Sequence, residues 1–235
     1  MNTQPAEAKT KDDSLDVQSL FFTIQGEGPF AGYRAIFVRL AGCNLQCMNC
    51  DTDYTTNRFN VRPQLIVNEI NRMTAEDIGC SNSDMLVVIT GGEPFRQAAL
   101  KPLVSMLLMD GFVVQLETNG TIYQALPYEH ENLHVVCSPK TEKIHKTMTP
   151  HIGYYKFVGD HTNLSELDGL PTTQLGDPNT PAILHRPPAD AIVYLSPVDH
   201  GMINDSGYAQ EAVVESCLKH GHILCLQIHK IIGVQ

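Results

Sequence analysis

Three cysteines, Cys43, Cys47 and Cys50, crowd into one short stretch, Ala41-Gly42-Cys43-Asn44-Leu45-Gln46-Cys47-Met48-Asn49-Cys50-Asp51-Thr52. The spacing is C-x3-C-x2-C, and the stretch directly follows an apolar, β-like run, Ala35 to Leu40. Thiolates this close in sequence can converge on one inorganic centre without closing a long loop. A loop that ends a strand here is thus able to wrap a single metal site. Structural zinc takes four protein ligands, and an ordinary four-iron cluster takes four cysteines. Three cysteines leave three readings open. Zinc could be completed by Cys80, Cys137, Cys217, Cys225 or a histidine; two of the three thiols could pair as a disulfide; or a [4Fe–4S] cluster could leave one iron for a ligand.

The rest of the chain alternates. Apolar runs at Ala35–Leu40, Asp84–Thr90, Phe112–Glu117, His134–Cys137, Tyr154–Val158 and Ala191–Leu195 predict strands, and the stretches Leu20–Ile24 and His222–Gln227 stand before and after them, for six or seven strands in all. The run Met85–Ile89 is continuous, as in a strand buried on both faces of a parallel sheet. Helical patterns are predicted at Pro63–Met73, about Gln97–Met109, around Asn163–Leu167, and from a Ser206 cap to about His220. Pro171–Pro188 is rich in proline and threonine and predicts a loop. Strands separated by helices or loops mean βα units, a parallel sheet and right-handed crossovers.

Polar or glycine-containing motifs follow nearly every strand: the cysteines, Gly91-Gly92-Glu93-Pro94, Thr118–Thr121, Ser138-Pro139-Lys140, Ser196-Pro197 and His229-Lys230. Solvated loops explain one or two such coincidences; six point to the C-terminal edge of the sheet, where α/β folds place their sites. At 235 residues the chain is one domain of ordinary size. The formal net charge of −10 argues against nucleic-acid binding through the phosphate backbone, and no apolar run is long enough to span a membrane. An anionic small substrate would need a local cluster of cations. Residues 1–17 are polar, lack a signal-peptide core, and are expected to form a disordered extension before a single domain, 18–235. Without a signal the expected compartment is the reducing cytoplasm, where cysteines serve as thiols or metal ligands.

The three-cysteine loop, together with Gly91-Gly92-Glu93-Pro94 after the next apolar strand, resembles the radical S-adenosylmethionine (SAM) superfamily. A narrower resemblance covers nearly the whole chain. Phe22–Gly28, Cys50-Asp51-Thr52, Glu117–Thr121, Ser138-Pro139-Lys140 and Gln227–Lys230 are similar to segments of the 7-carboxy-7-deazaguanine synthase family. The resemblance implies an incomplete (β/α)6-type, TIM-like barrel and a homodimer. It also implies a carbon–nitrogen lyase that contracts the ring of 6-carboxy-5,6,7,8-tetrahydropterin with loss of ammonia, on the route to queuosine and other deazapurines. An external one-electron donor such as flavodoxin or ferredoxin would supply the electron that starts SAM cleavage.

Residue by residue, the resemblance gives Cys43, Cys47 and Cys50 to the [4Fe–4S] cluster and Thr52 to a Mg2+ ion. Asn49, Asp51, Gly92, Glu93, Gly120, Ser138, Pro139, Lys140 and Ser196 correspond to positions around SAM. Ile24, Gln25, Gly26, Glu27, Arg39, Thr118, His229 and the terminal carboxylate of Gln235 correspond to positions around substrate. The chemistry suits them. A planar guanidinium binds a carboxylate with two hydrogen bonds, and an amide beside a carboxylate matches the donor edge of a pterin. Plainer roles compete at several positions: turn geometry for Gly26 and Ser196, an ST turn for Thr52, strand alternation for Arg39, and structural bonding for His130, His151 and His220. A glycyl-radical activase would share the cysteine loop and the glycine motif. A zinc-binding structural module would share only the cysteines.

Overall fold

The structure, a computed structural model, describes residues 3–47, 50, 52–174, 183–199 and 203–234, the last segment by backbone alone up to residue 206. Nine strands form one open sheet in the order β3-β1-β2-β4-β5-β6-β7-β8-β9. The strands are β1 (Leu15–Ile24), β2 (Arg34–Leu40), β3 (Phe59–Val61), β4 (Leu86–Gly91), β5 (Val113–Thr118), β6 (Leu133–Cys137), β7 (Tyr154–Gly159), β8 (Ile192–Pro197) and β9 (Ile223–Leu224). From β2 to β9 every neighbour is parallel. The (β/α) barrel expected from the sequence is therefore present in unclosed form.

Strand alternation divides the sheet into two chemically different faces. Outward residues Ile36, Val38, Val87, Ile89, Val114 and Leu116 pack under the helices α1 (Pro63–Arg72) and α2 (Leu100–Met109), through Ile66, Val67, Ile70, Leu103, Val104 and Leu107. A second outer layer joins Tyr155, Phe157, Val193 and Leu195 to Val213 and Cys217 of α3 (Ile203–His220). The opposite face carries the polar residues Arg39, Thr90, Glu117, Lys156 and Ser196, near the C-terminal ends of five parallel strands. Pairing of Arg39 with Thr90 across β2 and β4 sets the first two of these at one level.

Several expectations are corrected. β1 runs antiparallel to β2 and β3 caps its far side, so one edge is a hairpin-like addition to the parallel sheet. The expected disordered extension, residues 1–17, is corrected for its described part, 3–17: Leu15 and Val17 are buried in β1, and Gln4, Ala6 and Glu7 are tied to the cysteine loop. No helix forms at Asn163–Leu167. The Asn163 side chain accepts a hydrogen bond from the Asp160 amide, and Ser165 and Leu170 close a tight turn instead. α2 starts at Leu100 rather than Gln97, because Pro94–Arg96 turns first as a 3-10 segment capped by the Glu93 side chain. α3 begins at Ile203, so Ser206 lies inside the helix and is not its cap. α1 continues past Arg72 into a wide π-type turn, Met73–Ile78, which Gly79 ends at φ 72°. A short last helix, α4 (Ile228–Ile232), folds over the open edge, with the Ile228 amide donating to the Gly26 carbonyl.

Candidate active site

A cavity of about 270 Å³ opens on the inner face of the sheet at its C-terminal edge. A second lobe of about 400 Å³ shares Cys47, Cys50, Lys140, Val158 and Gln227 with it. The first lobe collects Ile24, Gln25, Glu27, Arg39, Cys43, Cys47, Cys50, Thr52, Gly92, Thr118, Ser138, Lys140 and His229. The second adds Pro139 and Ser196. Residues scattered over more than 200 positions thus meet in one space, because parallel βα units deliver every strand end to the same side.

The cysteine loop is held by backbone geometry. Gly92 donates to the Leu40 carbonyl at 3.0 Å and Glu93 donates to the Gly42 carbonyl at 3.0 Å. A Cβ on Gly92 would overlap the Gly42 carbonyl, and one on Gly91, at φ 122°, would overlap Leu40. The paired glycines are needed for this close approach. Glu93 itself does not line the cavity. Its fully buried carboxylate accepts hydrogen bonds from the Phe95 amide (3.0 Å), the Asn119 amide (2.7 Å) and the Thr118 hydroxyl (2.8 Å). Burial pushes this carboxyl up to about 7 despite those donors. Its position is that of a brace between the β4 and β5 loops, where the sequence suggested a ligand contact.

Gly26 and Gly120 also stand behind the wall. Gly26 leaves room for the His229 ring, and Gly120 sits 2.8 Å, at its missing Cβ, from the Cys137 sulfur. Asn49, Asp51 and Gln235 lie outside the described residues.

On the facing side, Arg39 holds its guanidinium 5.4 Å from the Phe21 ring centroid, and Phe21 stacks on Phe37. The Arg39 Nε and the Gln25 Nε2 are buried without a hydrogen-bond partner. So is the Ser196 hydroxyl in the second lobe. Buried donors left unpaired cost about 1–3 kcal/mol each, so these atoms mark places where a polar ligand gains.

Sequence reasoning missed a part-buried ionic knot beside them. Glu27 pairs with Lys156 and accepts from Gln227 Nε2 at 2.7 Å. Glu117 accepts from Thr90 Oγ1 at 2.8 Å and Gln115 Nε2 at 2.9 Å. Thr90, Glu117, Lys156 and Gln227 all line the cavity. Their signal was a polar residue interrupting an apolar strand, as in Tyr-Tyr-Lys-Phe-Val, but periodicity alone cannot say that the interruption faces a cavity. Burial would raise the Glu27 carboxyl, yet the Lys156 ammonium and the Gln227 and Lys156 hydrogen bonds outweigh it and hold it at about 2. Lys156 is pushed upward in turn, against its own burial, by Glu27 and Glu117.

The donor set fits an iron–sulfur cluster. Three thiols from one loop ring the junction of the two lobes, and none of Cys80, Cys137, Cys217 and Cys225 lines either lobe. Burial pushes the Cys43 thiol up to about 12, and raises Cys47 against the pull of Lys140. Naked thiolates are disfavoured there, and a cationic metal centre would reverse that. Among the described residues, no three His, Cys, Asp or Glu side chains stand ready to hold a single metal ion. Nor is any helix among them long and apolar enough to cross a membrane.

Residues 24–148 match the family model of a 4Fe-4S single cluster domain, which agrees with the three-thiol rim on an open parallel barrel. The class is that of radical SAM iron–sulfur enzymes. A 7-carboxy-7-deazaguanine synthase from Rhodospirillum rubrum is 39% identical over 229 residues, covering 94% of this chain and 93% of the relative. One from Rickettsia prowazekii is 36% identical, covering 94% and 89%. The chain belongs to the 7-carboxy-7-deazaguanine synthase family. The crystal structure of QueE from Escherichia coli is similar at 25% identity and a TM-score of 0.66, covering 91% of this chain and 94% of that one.

Proposed function

We propose that the chain converts 6-carboxy-5,6,7,8-tetrahydropterin to 7-carboxy-7-deazaguanine, a ring contraction that releases ammonia, with the first lobe holding the pterin and the second reaching toward SAM. The observation that carries this is the pair of buried, unpartnered donors, Arg39 Nε and Gln25 Nε2, in a cavity bordered by the three cysteines. Cys43, Cys47 and Cys50 would hold the [4Fe–4S] cluster, and when bound the cluster and SAM supply a 5′-deoxyadenosyl radical for hydrogen abstraction.

The protein's own work is binding, orientation and exclusion of water. Arg39 meets the substrate carboxylate as a fork, rigidified by Phe21. Glu27 stays an anion and accepts from the donor edge of the pterin, with Gln25 beside it. Lys140, lining both lobes, supplies positive charge between substrate and the sulfonium ligand's carboxylate. Thr52, on the wall of the first lobe, would offer its hydroxyl to a Mg2+ ion, which would supply positive charge beside the substrate. Ser196 and the Ser138-Pro139-Lys140 run face SAM. The enzyme acts as a homodimer in the cytoplasm and takes its electron from a flavodoxin- or ferredoxin-type donor.

The test is anaerobic reconstitution with iron and sulfide, then incubation with SAM, reductant and the carboxytetrahydropterin. Formation of the deazapurine, dependent on all three, is expected. SAM cleavage without any deazapurine would instead favour another radical SAM reaction.

Two variants follow from the pocket. Lys156→Met leaves the part-buried Glu27 without its cation, a loss of about 1–3 kcal/mol in stability. In the wild type the Glu27 carboxylate, depressed to about 2, contributes stability that is present above pH 4.5 and lost as pH falls toward 2. In the variant burial is opposed only by the Gln227 hydrogen bond and the nearby His229, so Glu27 takes up its proton at higher pH. Pterin KM is then expected to rise at least about tenfold and to worsen as pH falls. A flat KM-against-pH profile in Lys156→Met would remove Glu27 from substrate binding. Deleting residues 233–235 is expected to raise the pterin KM while leaving the thermal midpoint within a few degrees, since residues 231–234 are exposed. Unchanged kinetics would remove Gln235 from the site.

A further inference from the structure

The segment before β1 is tied to both ends of the cysteine loop. At the start of the loop, the Glu7 amide donates to the Cys43 carbonyl at 2.6 Å, and Ala6 forms a parallel bridge with Cys43. At its far end, the Gln4 side chain donates from Nε2 to the Thr52 carbonyl at 3.0 Å. The same amide accepts from the Tyr54 backbone N–H at 2.7 Å. The neck between those ends is closed by the Gly42 amide donating to the Tyr54 carbonyl at 2.8 Å.

The Glu7 carboxylate adds a charged staple. It meets Arg58 at 2.6 Å on one side and Arg96 at 2.8 Å on the other. Arg96 is almost fully buried, follows directly on the Gly-Gly-Glu-Pro-Phe turn, and donates to the carbonyls of Ala8 and Ala41. A Cβ on Gly42 would lie 2.6 Å from Glu7 Oε2, so the staple rests on the backbone next to Cys43. Thr10 extends the attachment: its amide donates to the Arg96 carbonyl, and its hydroxyl accepts from the Ala98 amide.

We infer that residues 4–10 are a strap that positions the cluster-binding loop, with Gln4 and Glu7 as its positioning residues, and that it governs how firmly the loop retains its metal centre. The inference rests on the proposed cluster at Cys43, Cys47 and Cys50, but the strap's hold on the loop is measurable without metal. An ion pair shared between two arginines and a carboxylate, partly shielded from water, keeps more of its value than an exposed pair. Loop opening needs Gln4 and Glu7 to let go together, because each clamps a different end.

The experiment compares the wild type, a Gln4→Ala/Glu7→Ala double variant, and a chain lacking residues 1–10. In the metal-free proteins, hydrogen exchange at the amides of Gly42 and Tyr54 is expected to quicken at least about tenfold in both altered chains. In the reconstituted proteins, the visible absorbance of the cluster is expected to bleach in air several-fold faster. A wild type that takes up no iron would end the cluster reading while leaving the exchange comparison to decide the strap. Wild-type exchange and wild-type bleaching in the double variant would overturn the inference. Should the truncated chain fail to fold, the full-length double variant carries the test.

Discussion

Cys47→Ala is expected to fold, to carry no intact cluster after oxygen-free reconstitution, and to show no detectable turnover. The fold survives because Cys47 is only half-buried and lines the cavity, whereas the cores are built from residues such as Ile36, Leu103, Phe157 and Leu195. The metal centre does not survive, because two thiols cannot hold three corners of a cluster, and no other described cysteine lines either lobe as a substitute. Iron content and visible absorbance should fall together, with the far-ultraviolet circular dichroism unchanged. An iron-loaded, active Cys47→Ala enzyme would dismiss the three-thiol site. The zinc-module alternative makes the opposite forecast for the fold: a domain built on structural zinc loses its structure with its ligand.

Gly92→Ala should be nearly as damaging, though it removes no ligand. The added methyl would have to occupy the space of the Gly42 carbonyl, and backbone on both sides must shift to admit it. That shift breaks the hydrogen bond from Glu93 to Gly42, which locks the β4 turn to the cysteine loop. A cost of about 3 kcal/mol is expected from overpacking of this kind. Iron uptake should drop well below the wild type, and residual turnover should be a few per cent or less. The thermal midpoint and iron content measured on one preparation decide the matter. A Gly92→Ala protein with wild-type iron content and stability would show that the glycine is dispensable.

Glu93 adds a lesson about motifs. The sequence places it beside a bound ligand; in the fold its carboxylate turns inward and ties Phe95, Thr118 and Asn119 together. It would reach the cofactor pocket only through the loops it braces. The chemistry around it therefore depends on β5 as much as on β4, a dependence no local pattern encodes.

Much of the molecule was legible before folding. The parallel sheet followed from apolar runs too continuous to lie on a solvated face, and the site edge followed from six chemically marked loops at strand ends. Cysteine spacing identified the metal loop because ligand count and proximity are properties of the chain itself. What stayed hidden was long-range. The strap at residues 4–10 is polar and aperiodic, so its sequence carries no sign of order; Arg58 and Arg96, distant in sequence, supply it. The turn at Asn163–Leu167 went to a side-chain hydrogen bond that competed with the helix.

By itself, then, the sequence determined which residues are apolar enough to form strands, where each strand ends, and that three thiols share one loop. Only the tertiary structure decided which way each polar strand residue faces. Arg39, Thr90, Glu117 and Lys156 are ordinary interruptions of apolar runs until the sheet turns one face inward. Alternation fixes only that neighbours point apart; packing of α1, α2 and α3 on the outer face selects the side that is left to enclose the cavity.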